Sequence, residues 1–398
     1  MWHGSNFFFS LQARSPYHHH PGMVLTRRAY KSIIRWLPNE VLSEVMLWAT
    51  QLDLVALCQT SRLINGLATP LLYHTISLGT IQGIERFTSS MRRHRLSKCH
   101  HVRRFRIKEI LHISQNLVEE IASILPHLCH LTSLQFISQY NPFLEMLGDA
   151  HFPNLTDFRC FVPPKLSSSV PAFLNRHTTI QSLYLCRTDD DLVPTLDPIH
   201  LPNLEHISML GSFVPSLVHN NKNIADMCIF WYPDDDDVAN ILAALSRMSS
   251  INHALEVRFD RSHEPWFIGH VAKHMSDVCI LTCHGLCTWG GRMSTDDILQ
   301  IADHLKNFTN LRVLEFLDFK EDVENLSESQ RTERDLSIVT YWGGVCGPLF
   351  QIGLHGHDWE FRDTGWTKTA GSATPRMLWE SHRRYLGTGG NPITVQEQ

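Results

Sequence analysis

The sequence lacks the features that mark several broad classes of protein. No apolar run approaches the roughly eighteen residues that a membrane-spanning helix needs. There is no basic excess to favour nucleic acid, because 35 lysines and arginines face 40 acids for a net charge of -5. The ten cysteines are scattered through a chain that is 43% hydrophobic, which predicts reduced thiols and no disulfide framework. We expect no membrane partner, no nucleic-acid partner, and a location in the cytoplasm or nucleus.

Recognisable catalytic motifs are missing as well. The sequence contains no G-x-S-x-G nucleophile motif. The glycine-rich stretch WGGVCGP (342–348) lacks the G-K-S/T ending of a phosphate-binding loop. We therefore expect no catalytic residue and no cofactor, although a constellation assembled from distant residues leaves no such signature.

Two stretches carry possible metal ligands in unsuitable patterns. Cys279, Cys283, His284 and Cys287 form C-x3-C-H-x2-C, whereas structural zinc sites use paired C-x2-C knuckles. The acidic run PDDDDVAN (233–240) precedes a predicted helix, whose cap and dipole explain the acids. We expect no metal ion, and a metal-dependent enzyme within residues 230–370 remains the alternative interpretation.

Short amphipathic helices are predicted between residues 37 and 78. Pro38 suits a first helical turn, Asp53 suits the N-cap of a second helix, and Thr60 or Ser61 suits the cap of a third. Pro70 is expected to open a last turn. The module has more apolar residues than one internal face can hide, so some must pack on a following domain or on a partner.

The segment WLPNEVLSEVMLWATQLDLVALCQTSRLINGLATPLLYHTISL (36–78) resembles an F-box, especially those of filamentous and mushroom-forming fungi. The Leu-Pro start, the Asp-Leu step, LCQTSR and the closing PLLY carry the resemblance. It implies docking on the Skp-type linker subunit of a cullin–RING ubiquitin ligase. The contacts that it implies are Leu37, Pro38, Val41, Leu42, Val45, Met46, Leu54, Leu57 and Cys58. The sequence departs from the family at Trp48 and Ala49, where aliphatic residues are commoner.

A short apolar pattern recurs through the rest of the chain. It occurs as LTSLQF (131–136), LTDFRC (155–160), IQSLYL (180–185) and LEHISM (204–209), and again as IADMCI (224–229) and LRVLEF (311–316). Weaker strands are predicted at 255–259 and 277–283, and helices at 116–128 and 237–248. One strand and one helix per repeat resembles a degenerate leucine-rich-repeat solenoid, without the usual asparagine. A chance pattern in another α/β protein is the alternative, and the lost period between 231 and 310 indicates longer repeats or an insertion.

The C-terminal part is predicted to close the repeat array. LFQIGL, HDWEF and GWTK within 341–369 read as short strands joined by turns, in a segment that resembles the end of many fungal F-box proteins. The predicted organisation is α/β, with a disordered tail (1–32), a three-helix F-box (33–78), a repeat domain (79–369) and a flexible tail (370–398).

These patterns predict an adaptor with no catalytic activity of its own. The F-box would bind the Skp-type linker, and the strands of the repeat domain would bind a protein substrate whose identity the sequence does not reveal. Candidate substrate contacts are Gln135, Arg159, Tyr184 and Ser208, which we place on the outward side of their strands. A repeat scaffold that acts outside ubiquitylation is the second hypothesis.

Overall fold

A computed structural model of the chain describes part of its 398 residues. The described residues are 37–94, 96–108, 113–137, 147–148, 150–162, 169–187, 196–217, 224–231, 238–259, 265–285, 294–317 and 326–369. The predicted tails at 1–32 and 370–398, the acidic residues 234–237 and Cys287 lie outside them. Within these ranges, no helix has the length and apolar character to span a bilayer.

Contacts divide the chain into two compact units, Met1–Leu72 and Tyr73–Gln398. The segment Thr75–Leu78, which the predicted F-box (33–78) includes, is a strand that pairs with the sheet of the larger unit. The α/β class predicted from the sequence is confirmed.

The smaller unit contains three helices around a small apolar core. They are α1 (Asn39–Leu47), α2 (Gln51–Cys58) and α3 (Arg62–His74), of which α3 runs across the boundary between the units. The core consists of Leu42, Met46, Leu54, Ile64 and Ala68. A core of five buried residues supports little stability of its own.

The caps of these helices differ in part from the expectation. Thr50, not Asp53, is the N-cap of α2, and the two residues form a reciprocal capping box with Asp53 at the third helical position. The hydroxyl oxygen of Ser61 accepts from the Ile64 N–H at 3.2 Å, which identifies Ser61 as the cap of α3. Pro70 lies inside α3 and does not begin a new turn.

The larger unit contains a sheet of thirteen strands that pair in the order of the chain. The strands are β1 (Thr75–Leu78), β2 (Arg104–Ile107), β3 (Ser133–Phe136), β4 (Asp157–Val162), β5 (Ser182–Arg187), β6 (His206–Leu210), β7 (Ile224–Trp231), β8 (Ser249–Phe259), β9 (Ile280–Gly285), β10 (Val313–Leu317), β11 (Gln351–Leu354), β12 (His357–Arg362) and β13 (Gly365–Lys368). Neighbours from β1 to β11 are parallel, and β11–β12 and β12–β13 are antiparallel.

The described helices of the larger unit lie between successive parallel strands. They are α4 (Ile81–Arg93), α5 (Gln115–Ile124), α6 (Ser169–Arg176), α7 (Val238–Met248), α8 (Pro265–His274), α9 (Thr295–Leu305) and α10 (Glu328–Val345). Parallel crossovers are right-handed, so a strand order that always advances in one direction places every helix on the same face of the sheet. The helices share one hydrophobic core with every second strand residue.

The strand register explains why the short apolar pattern recurs. Phe105, Leu134, Phe158, Leu183 and Ile207 are successive register partners from β2 to β6, and all are buried. Each predicted strand segment contributes a strand to this sheet, and the helices predicted at 116–128 and 237–248 are present. Between 231 and 310 the structure describes α7, β8, α8, β9 and α9, with residues 232–237, 260–264 and 286–293 outside the described ranges. No strand was predicted at β1 or β2, and no bounds were predicted for α4, α6, α8, α9 and α10.

Hydrogen bonds of α10 and a tight turn position the C-terminal end of the sheet. The Trp342 indole N–H donates to the Ile298 carbonyl at 3.1 Å, and Asp335 lies 2.9 Å from His355 Nδ1. The β11–β12 turn contains His355 and Gly356 at φ 49° and 79°, the left-handed pair that a tight hairpin requires. The predicted strands of this region are confirmed.

A methyl group added at Gly343 would collide with the hairpin. An ideal Cβ there lies 2.5 Å from Trp366 Cζ2, whereas a Cβ at the adjacent Gly344 meets nothing within 4 Å. We expect Gly343→Ala to lower the free energy of unfolding by about 1–3 kcal/mol. Gly344→Ala should leave it unchanged or raise it by up to about 1 kcal/mol, because alanine favours the helix. Urea unfolding of the two variants tests this, and equal effects would contradict the contact.

A buried histidine connects α6 to the segment before β4. The Phe152 N–H donates to His177 Nε2 at 2.9 Å, so the proton sits on Nδ1, which donates to the Phe173 carbonyl at 2.8 Å. Burial lowers the pKa of the His177 imidazole below its ordinary value, and the Phe173 carbonyl opposes that shift. The neutral imidazole therefore connects the end of α6 to the segment before β4 through these two hydrogen bonds.

Acid should weaken the fold through His177. Because its pKa is lowered in the folded chain, the unfolded chain takes up the proton first as pH falls through about 6.5. The contribution of His177 is complete above that pH and is lost as pH approaches the lower folded pKa. We expect His177→Phe to flatten the decline in unfolding free energy between neutral and mildly acidic pH. An identical pH profile in the variant would contradict this assignment.

Candidate functional site

The nine predicted docking residues of the smaller unit fall into three groups by burial. Leu42, Met46 and Leu54 form the core of the unit, so their side chains hold the three helices together. Leu57 and Cys58 are half-buried beside that core. Leu37, Pro38, Val41 and Val45 are exposed. Contact with a partner stays a prediction for the exposed group, whereas the buried group supports that surface from beneath.

The exposed group continues along one flank of α1. Val41, Val45 and Trp48 follow the i, i+4, i+7 spacing of a helical stripe beside the buried stripe of Leu42 and Met46. Val45 is 63% exposed and Trp48 is 90% exposed. We call Leu37, Pro38, Val41, Val45 and Trp48 the apolar stripe.

Other exposed apolar residues of this unit lie outside the predicted set. They are Leu47, Leu52 and Leu63. The sequence could not separate them from core residues, because exposed and buried stripes follow the same helical period. Trp48, which the sequence marked only as a departure from the family, has the largest exposed fraction among the described large hydrophobic residues.

The larger unit presents a second surface, formed by the strand residues that alternate with the core positions. We call this the free face, since the described helices pack on the opposite side. Most of the buried polar residues lie here, namely Ser133, Gln135, Asp157, Arg159, Ser208, Thr282, Glu315 and Gln351. Cys186, Cys228 and Val313 also lie on it, buried but outside the hydrophobic core cluster.

The four predicted substrate contacts are neighbours on the free face. Gln135, Arg159, Tyr184 and Ser208 are successive register partners in β3, β4, β5 and β6. Their placement opposite the core side of the strands agrees with the prediction. Tyr184 is half-buried, whereas the other three are buried, so the row lies at the base of the surface and not at its rim.

A carboxylate organises the polar part of this face. Asp157 accepts from Arg159 Nε at 3.0 Å, from the Ser133 hydroxyl at 2.6 Å and from Gln135 Nε2 at 2.9 Å. The Asp157 and Arg159 side chains are 8% and 3% exposed. Three donors therefore surround one buried carboxylate, which fixes the positions of β3 and β4 side chains.

Cations surround this network on the side of β2. Arg104 and Arg106 occupy free-face positions of β2, and Lys108 follows directly after it. Arg104 and Lys108 are exposed, and Arg106 is half-buried. Burial and then the charge of Arg159 lower the pKa of the Arg106 guanidinium, while Asp157 opposes that shift. Burial and the neighbouring Arg159 thus disfavour the positive charge of the Arg106 side chain.

Aromatic rings continue the free face from β4 to β7. Phe161 and Tyr184 have ring centroids 6.2 Å apart, and Tyr184 and Phe230 are 5.7 Å apart, both in edge-to-face geometry. All three rings are half-buried. We call them the aromatic patch, which provides apolar area beside the cations.

A separate polar pair lies towards the C-terminal end of the sheet. The Thr282 hydroxyl donates to Glu315 Oε2 at 3.0 Å across β9 and β10. A Cβ at Gly353 would lie 3.3 Å from Glu315 Cγ, so glycine lets β11 approach this side chain closely. The free face therefore has cations at β2 and β4 and a buried carboxylate, Glu315, at β10.

The cysteine cluster is a poor metal site in the part that the structure describes. Cys283 belongs to the hydrophobic core, and burial raises the pKa of its thiol to about 12. Zinc binds the thiolate, which this environment disfavours. Cys279 is half-buried, and no group of three metal-ligating side chains converges among the described residues.

Removing the Asp157 carboxylate should destabilise the sheet. Asp157→Ala removes the carboxylate that pairs with the buried Arg159 guanidinium, so we expect a loss of about 3 kcal/mol or more in unfolding free energy. Asp303→Ala removes the carboxylate of an exposed pair with Lys306 and should cost less than about 0.5 kcal/mol. Urea denaturation measures both variants, and a comparable small loss at Asp157 would contradict a structural role for the network.

Comparison with known proteins adds no relative. No protein-family model matches the chain, and no curated protein matches it. The two surfaces therefore carry the functional argument.

Proposed function

We propose that this protein is the substrate-recognition adaptor of an SCF-type (Skp–cullin–F-box) ubiquitin ligase. In this role the smaller unit docks on the Skp-type linker, and the larger unit holds a protein substrate. The single observation that carries the proposal is the apolar stripe on α1, found in a segment that resembles an F-box. Proteins that stay monomeric in water rarely expose a continuous row of apolar side chains, so such a row usually marks a surface that binds a partner.

The size of the smaller unit supports a docking role. Its core of five buried residues is small, and Asn65 Nδ2 adds one link by donating to the Cys58 carbonyl at 2.8 Å. A module this small gains stability when a partner covers its exposed apolar residues. Val45 and Trp48 provide that apolar area.

The sheet of the larger unit supports the recognition role. Eleven parallel strands in chain order, with the described helices on one face, are what a leucine-rich-repeat-like solenoid requires. We propose this architecture for the larger unit, with the antiparallel β12 and β13 as its C-terminal cap. A doubly wound sheet would instead reverse its strand order and carry helices on both faces.

The mechanism in this proposal is proximity. The adaptor forms no covalent intermediate and holds a substrate lysine near the thioester of a conjugating enzyme elsewhere in the assembly. Restricting two reactants to one complex raises their effective concentration, which is sufficient to accelerate transfer. No cofactor or metal is needed for this role.

Two lysine substitutions on opposite flanks of α1 test the docking. Val45 and Leu47 are 63% and 62% exposed, but Val45 belongs to the apolar stripe and Leu47 does not. We expect Val45→Lys to weaken binding of a purified Skp-type linker by about tenfold or more, because a charge would be buried at the interface. Leu47→Lys, the matched control, should bind like the wild type. Calorimetry on the full chain gives both affinities.

The results of these binding experiments distinguish a ubiquitin-ligase adaptor from a repeat scaffold that acts outside ubiquitylation. No binding of the linker by the wild type, or equal loss in the two variants, would contradict docking through the stripe. Linker binding without any effect of Val45→Lys on substrate turnover in cells would favour a repeat scaffold that acts outside ubiquitylation.

A further inference from the structure

The free face carries an uneven distribution of charge. From β1 to β7 its strand positions include the cations Arg104, Arg106 and Arg159 and the acids Asp157 and Asp226, and Lys108 follows directly after β2. Asp157 pairs with Arg159. Arg104, Arg106 and Lys108 lie on the side of β2, where Arg104 and Lys108 are exposed and Arg106 is half-buried. We call these three residues the cationic patch. Its charge complements an anionic ligand.

The cationic patch lies close to the aromatic patch. Lys108 and Phe161 are two strands apart, which is about 10 Å, and Phe161 is two residues beyond Arg159 on the same strand. An extended peptide covers that distance in about three residues. A short segment can therefore reach both patches.

Hydrogen-bonding groups at the base of the face also suit a peptide. The Gln135 carbonyl oxygen Oε1 and the Ser208 hydroxyl are buried and have no hydrogen-bond partner among the described residues. Such groups are costly to leave unsatisfied. Peptide N–H and C=O groups, brought close by a small movement of neighbouring side chains, supply the complementary donor and acceptor.

The aromatic geometry favours a peptide over single-stranded nucleic acid. Bases bind by stacking on open ring faces. Phe161, Tyr184 and Phe230 instead meet edge to face and are half-buried, so they form a compact apolar area.

We propose that the free face of β2–β7 binds an acidic peptide segment of the substrate, in which aspartates or glutamates flank an aromatic or aliphatic side chain. The acids lie against Arg104, Arg106 and Lys108, and the apolar side chain lies on the aromatic patch. This inference rests on the proposed function, since it specifies the substrate class of the proposed adaptor. The lowered pKa of Arg106 supports it, because a bound carboxylate stabilises the guanidinium cation.

A fluorescent peptide in which glutamates flank a pair of phenylalanines tests the proposal on the full chain. We expect it to bind the wild type, and binding to weaken as salt is raised. Arg104→Glu combined with Lys108→Glu, both at exposed positions, should weaken binding by about tenfold or more. Arg93→Glu, an exposed reversal on α4 in the helix layer, should leave binding unchanged. Thermal melting verifies that each variant is folded.

Changes in the probe and in the aromatic patch complete the test. Serines in place of the phenylalanines should weaken binding, and Tyr184→Ser should remove that difference between the two peptides. Lysines in place of the glutamates should abolish binding. The proposal is overturned if the lysine peptide binds as well as the glutamate peptide, if Arg93→Glu weakens binding as much as the double reversal, or if an oligouridylate binds more tightly than the peptide.

Val45→Lys distinguishes this proposal from the docking proposal. The variant should bind the acidic peptide as the wild type does, while the double reversal should bind the Skp-type linker normally. Loss of linker binding with intact peptide binding would remove the adaptor role and leave the recognition surface. Intact linker binding without peptide binding would remove the acidic substrate class and leave the adaptor role.

Discussion

The parallel pairing of each strand with the next one along the chain is the interaction on which the larger unit depends. Because the order never reverses from β1 to β11, right-handed connections place the helices on one side of the sheet. Apolar residues then alternate towards that side, and every other strand residue is left on the free face. The ion pair of Arg159 and Asp157 and the aromatic patch lie there as a consequence of register.

The smaller unit follows a different constraint. Three short helices enclose only Leu42, Met46, Leu54, Ile64 and Ala68, so most of their apolar residues remain at or near the surface. On α1 the buried and exposed stripes lie side by side. Packing of Met46 in the core therefore fixes where the helix presents Val45. We interpret the exposed stripe as the functional part of this small unit, which serves to bind a partner.

Much of the fold could be predicted from the sequence, because its repeated pattern reports directly on core positions. β3 to β10 were found through alternating apolar residues, whereas β2 was missed because Arg104 and Arg106 surround Phe105 in a short strand. The bonds among Ser133, Gln135 and Asp157 could not be predicted, since they depend on the register between strands. Burial of Leu42 and exposure of Val41 were equally hidden, because both fit one helical period.

Hydrogen exchange of the full chain, with and without a purified Skp-type linker, tests most directly whether docking and recognition are divided between the two units. Local opening of a small unit makes its amides exchange readily, and a bound partner slows that exchange. The account predicts that the linker protects Asn39–Leu47 and Gln51–Cys58 and leaves β2 to β5 unchanged. Protection confined to the strands, or no protection in α1, would contradict it.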